Sequence, residues 1–296
     1  MMFSLVCNGA ALAPRCPVTP VPWWSFGKTV LAAVALTLVR DGLLALDDPL
    51  PEGPFTLRQL LRHEAGLGDY GALADYPLAV ARNDAPWPLA ELLQRLQAAG
   101  LNSVPNGDWR YSNLGYLHVA RLIERLTDLP LAEALRQRVL VPLGLPHTRL
   151  ASTRADLDGV DLGAVSRYEP GWVYHGLLVG PLDEAALLLE RLCNGALLPA
   201  DLLRQMRQPR VLGGAMTGRP WTAPGYGLGL MQGPVEGGLS LSGHTGAGPG
   251  SVIAVYHCAV GDDTATCAVF HAGDDQGAAE HEVVRHLRAA LLAGKP

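Results

Sequence analysis

Two kinds of apolar pattern alternate along this chain. At the start, FSLVC and AALAP are short apolar runs joined by Asn8-Gly9. Asn-Gly accepts positive φ at both positions, so the pattern predicts a two-residue hairpin with strands at about 3–7 and 10–14. A proline-rich link from Pro14 to Pro22 follows. Val30 to Val39 is then apolar but for Thr37 and is closed by Arg40 and Asp41. A run apolar on all sides reads as a fully buried helix, here opened by Ser25 and running to about Leu44. From Leu46 to about Asp156 the spacing is helical with long loops. Thr56-Leu-Arg-Gln59 forms a capping box before LLRH. Helices are predicted over Leu89–Ala99 with Gly100 as the stop, over Asn113–Thr127, over Leu131–Val141 ended by Pro142, and over Asp183–Cys193. After Gly225 the runs GYGLGLM, SVIAVYHC and ATCAVFH are short, β-branched or alternating, and separated by Gly and Asp turns. Gly277 to Leu292 reads as a closing helix.

Strands at both ends with helices between them predict an α/β (α+β) fold: one antiparallel sheet built from both termini, with a helical subdomain inserted. The expectation is a single domain over 1–296, with a sheet subdomain of about 1–45 and 160–296 and a helical subdomain of about 46–159.

Composition narrows the class. The formal net charge is -5 and there is no basic run, so nucleic acid is not an expected partner. The longest apolar run is too short to cross a bilayer, so no membrane association is expected. No Lys or Arg precedes the first apolar stretch, and Asn8-Gly9 interrupts it; it reads as a mature cytoplasmic start rather than a secretory signal. Five cysteines, an odd number with no CxxC pair, read as buried free thiols, although Cys258 and Cys267 could face each other across a hairpin.

Candidate chemistry begins with lysine. The chain has 21 Arg but two Lys, Lys28 and Lys295, and only Lys28 is internal. Arg cannot give up its proton, whereas a buried Lys can act as a base. Ser25 lies three residues before it, one turn away on the same helical face. Trp23, Trp24 and Phe26 can exclude water and lower the lysine pKa, which makes Ser25 a candidate activated nucleophile. The second signal is Tyr111-Ser112-Asn113. A Tyr can move protons and an Asn can hold a substrate amide or ester, but alone the tripeptide reads as a helix cap. The third is Ser242-Gly-His-Thr-Gly-Ala-Gly-Pro-Gly250 before a strand, a glycine-dense edge that lets a ligand approach the backbone. Alone, GHTG is a turn. No GxSxG occurs. His281 and His286 are five apart and cannot share a helix face, so no metal and no cofactor are expected.

Together, SxxK, YxN and HTG in this order resemble the serine β-lactamase and penicillin-binding-protein superfamily, most closely its class C-like branch with the family VIII carboxylesterases and D,D-carboxypeptidases. DGLLALDDPLP, LRQLLRHEAGL, VPLGLPHT and GYGLGL are similar to further segments of that branch. The resemblance covers about residues 20 to 270. It implies the serine β-lactamase/DD-peptidase-like fold. It implies that Ser25 attacks a carbonyl, that Lys28 and Tyr111 share base and acid work, and that Asn113 binds the acyl side chain. His244, Thr245 and Gly246 would line the sheet edge, with the backbone N–H groups of Ser25 and Ala247 as the oxyanion hole. The chain departs from the family in three places. Only 24 residues precede Ser25, His244 replaces the usual Lys, and WVYHG puts His175 where a glycine normally lies near the site. His175 reads either as a core histidine or as a member of the site.

The expected function is therefore a serine hydrolase with a small-molecule ester or amide substrate, first a carboxylesterase for small acyl groups. A β-lactamase or D,D-carboxypeptidase is the alternative, and a non-catalytic acyl-binding sensor a third. His244, with an ordinary imidazole pKa near ~6.5, is expected to set the pH response. The oligomeric state is not legible.

Overall fold

The hairpin at the start of the chain forms as the dipeptide dictates. In the computed structural model, which describes residues 1–12, 19–101, 105 and 108–292, β1 (Met2–Cys7) turns through Asn8 and Gly9 into β2 (Ala10–Leu12). Both turn residues have positive φ, +48° and +78°. The proline link from Pro14 falls largely outside the described residues. After β3 (Val21–Pro22) comes α1 (Gly27–Arg40). It stops four residues short of the expected Leu44, because Asp41 ends it and Gly42 turns with φ +73°. Ser25 does not open this helix. It sits in a 3₁₀ turn, Trp24–Phe26, that leads into it.

The helical stretch holds α2 (Leu57–Leu61), α3 (Asp75–Ala81), α4 (Leu89–Ala98), α5 (Asn113–Thr127) and α6 (Leu131–Leu135). The Thr56 capping box is complete: Thr56 Oγ1 accepts from the Gln59 N–H, and the Gln59 side chain accepts from the Thr56 N–H. Past α6 the backbone widens into a π turn, Arg136–Leu140, before Pro142 ends the segment. A three-stranded sheet in the order β3-β5-β4 is made with β4 (Arg149–Ala151) and β5 (Leu177–Gly180). Next come α7 (Leu182–Cys193) and α8 (Ala200–Met206). Then follow β6 (Arg210–Val211), β7 (Gly225–Tyr226), β8 (Met231–Pro234), β9 (Ser240–Gly248), β10 (Ser251–Val260), β11 (Asp263–Ala272) and α9 (Gln276–Leu292).

The main sheet has eight strands in the order β2-β1-β11-β10-β9-β8-β7-β6, and all its pairings are antiparallel. The first strand of the chain thus lies beside the last, as strands at both ends required. Alternation along β10 and β11 sends side chains to two apolar layers. Ile253, Val255, Ala268 and Phe270 pack with α1, α5 and α7, while Val252, Ala254, Cys267 and Val269 pack with Val283 and Leu287 of α9. Cys267 lies opposite Tyr256 and Cys258 opposite Ala265, so the two thiols are not cross-strand partners. Among the described residues Cys7, Cys193, Cys258 and Cys267 form no disulfide. Among the described residues no helix is long and apolar enough to cross a membrane.

Two buried carboxylates tie layers together. Glu190 of α7 accepts from Thr264 and Thr266 of β11 and contacts His257 Nδ1 of β10 at 3.1 Å. Glu280 of α9 is fully buried and pairs with Arg219, and it accepts from Trp221 Nε1 at 3.0 Å and Thr245 Oγ1 at 2.5 Å. Buried charges require such partners, because an unpaired one costs several kcal/mol.

Candidate active site

Ser25 is presented by a constrained turn. Trp24 has φ +41°, a left-handed conformation that a bulky residue rarely adopts. Its indole is held by a hydrogen bond to Ser251 Oγ of 3.0 Å and by an edge contact with the Tyr168 ring. Trp23 is anchored by its own indole N–H to the Gly180 carbonyl. Clamped on both sides, the turn points Ser25 Oγ at the first turn of α1. Lys28 Nζ lies 3.2 Å from it, as the three-residue spacing predicts.

The second motif serves as cap and as site. Ser112 is the N-cap of α5, its Oγ accepting from the Gly115 N–H at 2.9 Å and donating to the Gly68 carbonyl. Its neighbours face Ser25 and Lys28. Tyr111 donates its phenol to Ser25 Oγ at 2.8 Å, and Asn113 Oδ1 accepts from Lys28 Nζ at 2.6 Å. The Asn113 amide nitrogen donates to Asp69 Oδ1 at 2.9 Å, which fixes which end of the amide meets the lysine. One Asn113 amide hydrogen is left for a substrate.

His175 joins this cluster. It is 3 % exposed, and its Nε2 lies 3.2 Å from Lys28 Nζ. Lys28 therefore has three neighbours: Ser25 Oγ, Asn113 Oδ1 and His175 Nε2. Burial lowers the lysine pKa to about 7, opposed by the charge of Asp69. In the neutral amine two N–H groups meet Asn113 and His175, and the lone pair is left facing the serine hydroxyl. This is the geometry of a base. Burial pushes Tyr111 above the usual phenol range, so it stays a neutral donor near pH 7.

The third motif forms an open sheet edge. β8 pairs with β9 only as far as Gly243, so residues 244–248 present backbone groups along the cavity. The structure corrects the expected role of His244. It is 1 % exposed, with Nδ1 2.8 Å from the Thr245 carbonyl and Nε2 2.9 Å from the Tyr226 hydroxyl. Nδ1 must donate to that carbonyl, and in the neutral ring Nε2 then accepts from Tyr226. Burial, together with the nearby Lys28 charge, pushes its pKa down to about 3. Both nitrogens are spent on the protein, and His244 cannot set a pH response near neutrality.

The Thr245 hydroxyl points to the opposite face, to Tyr256 and Glu280. Gly246 is a packing requirement: a Cβ there would lie 2.6 Å from Ser25 N and 2.7 Å from the Trp23 carbonyl. Gly246→Ala must push the turn that carries Ser25 away from the sheet edge. The expected result is a loss of about tenfold or more in kcat/KM for any substrate, because displacements of this kind are costly at a reacting centre. A crystal structure of the variant with Ser25 unmoved, or unchanged kinetics, would contradict it.

Several site residues escaped the reading of the sequence. His63 is 2 % exposed, takes the Ser112 N–H on Nδ1 at 3.1 Å, and lies 4.4 Å ring to ring from Tyr111. It backs the tyrosine. The LLRHEAGL segment was its one signal. Tyr226 had a comparable signal in GYGLGL, and Asp69 carried none. Two cavities meet at Ser25. The larger, about 670 Å³, is lined by Tyr111, Tyr226, His244, Thr245, Ala247 and Arg219 among others. The smaller, about 180 Å³, lies on the side of His175 and is lined by Tyr70, Tyr76 and Tyr168. Among the described residues no cluster of three or more His, Cys, Asp or Glu is placed to hold a metal ion.

Sheet and helices together make the serine β-lactamase-like α/β fold. The Beta-lactamase family model matches residues 11–292, and the chain belongs to the beta-lactamase family of serine hydrolases. Esterase EstB of Burkholderia gladioli is 28% identical over 259 residues, 70% of this chain and 65% of that protein. A D-aminopeptidase of Brucella anthropi is 29% identical over 267 residues, 86% of this chain and 50% of that protein. The chain thus spans only part of these relatives, and 34% of Penicillin-binding protein 4* of Bacillus subtilis. In fold it is similar to the D-amino acid amidase from Ochrobactrum anthropi SV3, with TM-score 0.83, 21% identity, and coverage of 99% of this chain and 93% of that one.

Proposed function

We propose that the protein hydrolyses small neutral esters through an acyl-enzyme on Ser25. The observation that carries this reading is the placement of Ser25 Oγ between a neutralisable amine at 3.2 Å and a phenol donor at 2.8 Å. Lys28 takes the serine proton as Oγ attacks the carbonyl. The developing oxyanion is held by the backbone N–H groups of Ser25 and Ala247. As the tetrahedral intermediate collapses, the Tyr111 phenol protonates the leaving oxygen and is refilled from Lys28 through the site. Water then repeats the sequence on the acyl-enzyme, with the same pair as base and acid.

The preference for neutral substrates rests on charge. The third motif offers a neutral, buried imidazole where an ammonium would attract a carboxylate. Arg219, the cation lining the larger cavity among the described residues, is already paired with Glu280. The test compares kcat/KM for p-nitrophenyl butanoate, a chromogenic cephalosporin, a D-alanyl-D-alanine peptide and a D-amino acid amide. The expected order puts the ester first, by roughly tenfold to a hundredfold over the cephalosporin, the value of one missing ionic hydrogen bond. A higher value for the cephalosporin or the peptide would replace this reading with a β-lactamase or D,D-carboxypeptidase. Faster turnover of the D-amino acid amide would point to the activity named for the Ochrobactrum amidase. A fluorophosphonate should label wild type and leave Ser25→Ala unlabelled; labelling that survives would remove Ser25 as the nucleophile.

A further inference from the structure

The smaller cavity beside Ser25 contains hydrogen-bond donors with nothing to bind. Tyr70 is 1 % exposed and lines it, and its hydroxyl has no hydrogen-bond partner among the described residues. The backbone N–H of Tyr174 lies close enough to influence this phenol. An N–H can only donate, so the phenol's own hydrogen has no taker. His175 lines the same cavity, is 3 % exposed, and its Nδ1 likewise lacks a partner.

The tautomer of His175 follows from its neighbour. With the amine lone pair facing Ser25, Lys28 gives one hydrogen to Asn113 Oδ1 and its other to His175 Nε2 at 3.2 Å. Nε2 is thus the acceptor, and a neutral imidazole must then carry its hydrogen on Nδ1. The cavity holds two unmet donors, a phenol O–H and an imidazole N–H. The other phenol in its wall with a defined partner, Tyr76, donates to the Trp172 carbonyl and is satisfied.

Buried donors left without acceptors are costly, and a site that carries them discriminates strongly in favour of a ligand that supplies the acceptor. The volume, about 180 Å³, is roughly six times the share of a water molecule in the liquid. It suits a short acyl chain and no more. We propose that this cavity is the acyl subsite, and that it selects short acyl groups bearing an uncharged acceptor oxygen, an ether, hydroxyl or keto oxygen, over all-carbon chains of the same length. The inference rests on the acyl-enzyme reading of Ser25 and names the acyl class that this site would take.

The test uses a matched pair, p-nitrophenyl methoxyacetate and p-nitrophenyl butanoate. They have the same chain length and differ by one oxygen in place of one methylene. Their kcat/KM ratio is divided by the ratio of their hydroxide hydrolysis rates, which removes intrinsic reactivity. The expected corrected ratio is about tenfold in favour of methoxyacetate in wild type, falling to about two or below in Tyr70→Phe. A corrected ratio near one in wild type, as expected if water fills the cavity for every substrate, would overturn the proposal, and so would a tenfold ratio that persists in Tyr70→Phe. Fluorophosphonate labelling is run on both proteins. If wild type is not labelled, the acyl-enzyme reading fails. If it is labelled and shows no preference, this inference alone fails. Should Tyr70→Phe fail to label through misfolding, the wild-type ratio decides by itself.

Discussion

Lys28→Met is expected to lower kcat/KM for p-nitrophenyl butanoate by on the order of 10³-fold or more, and the double variant Lys28→Met/Tyr111→Phe to lose little beyond that. The reason is geometric. The amine and the phenol meet at one atom, Ser25 Oγ, from 3.2 and 2.8 Å. A proton taken by one must reach the leaving group through the other, so removing either stops the same transfer. Residues that act as a unit cannot be given separate shares of a rate. Single-variant losses that multiply in the double variant would show two independent roles. The same substitution should leave the fold intact and raise its stability. An amine buried at 0 % exposure carries a desolvation penalty that an apolar side chain of similar length does not, and the loss of its hydrogen bonds to Asn113 and His175 offsets only part of that gain. Urea unfolding at neutral pH measures it, and destabilisation would mean that Lys28 holds the structure as well as the chemistry.

The parts of this arrangement differ in how legible they are in the sequence. Ser25 and Lys28 are three apart on one helical face, so their meeting is a local matter. Tyr111 and Asn113 flank a cap residue, and only the combination of three motifs lifts them above an ordinary helix start. The antiparallel sheet was legible because alternation and turn residues are local properties too. Asp69 is different. It fixes the Asn113 amide from 44 residues away, and nothing in GLGDY marks it. Tyr226 and Glu280 act across the sheet on His244 and Thr245, contacts that only the tertiary fold creates. His244 shows the limit most clearly. Its identity was visible, and an exposed imidazole would titrate near neutrality. Its burial was not visible, and burial reverses the conclusion.

That reversal assigns the pH dependence to another residue. kcat/KM should follow the neutral fraction of Lys28, whose pKa lies at about 7 because burial penalises the ammonium. The base form exists above that value, so activity falls as pH drops through it. The loss approaches tenfold per unit below the midpoint and amounts to about fiftyfold from pH 7 to pH 5. His244, held at about 3, should add no second limb in this range. His244→Gln should therefore leave the midpoint near 7 in place even if it lowers the rate, and the residual activity of Lys28→Met should have no limb there. A midpoint near the ordinary imidazole value that disappears in His244→Gln would return the titration to the histidine. Stability gives an independent check with a definite sign. In the unfolded chain the Lys28 ammonium is released only near ~10.4, so between pH 7 and 10 the unfolded state binds more protons than the native one. The lysine's contribution to unfolding free energy must then rise with pH across that window, and it is lowest below pH 7. Lys28→Met should abolish this slope, so the stability advantage of the variant should shrink as pH is raised from 7 to 10. An advantage that stays constant with pH would mean that the amine is not neutralised in the fold, and would remove the base on which the proposed mechanism depends.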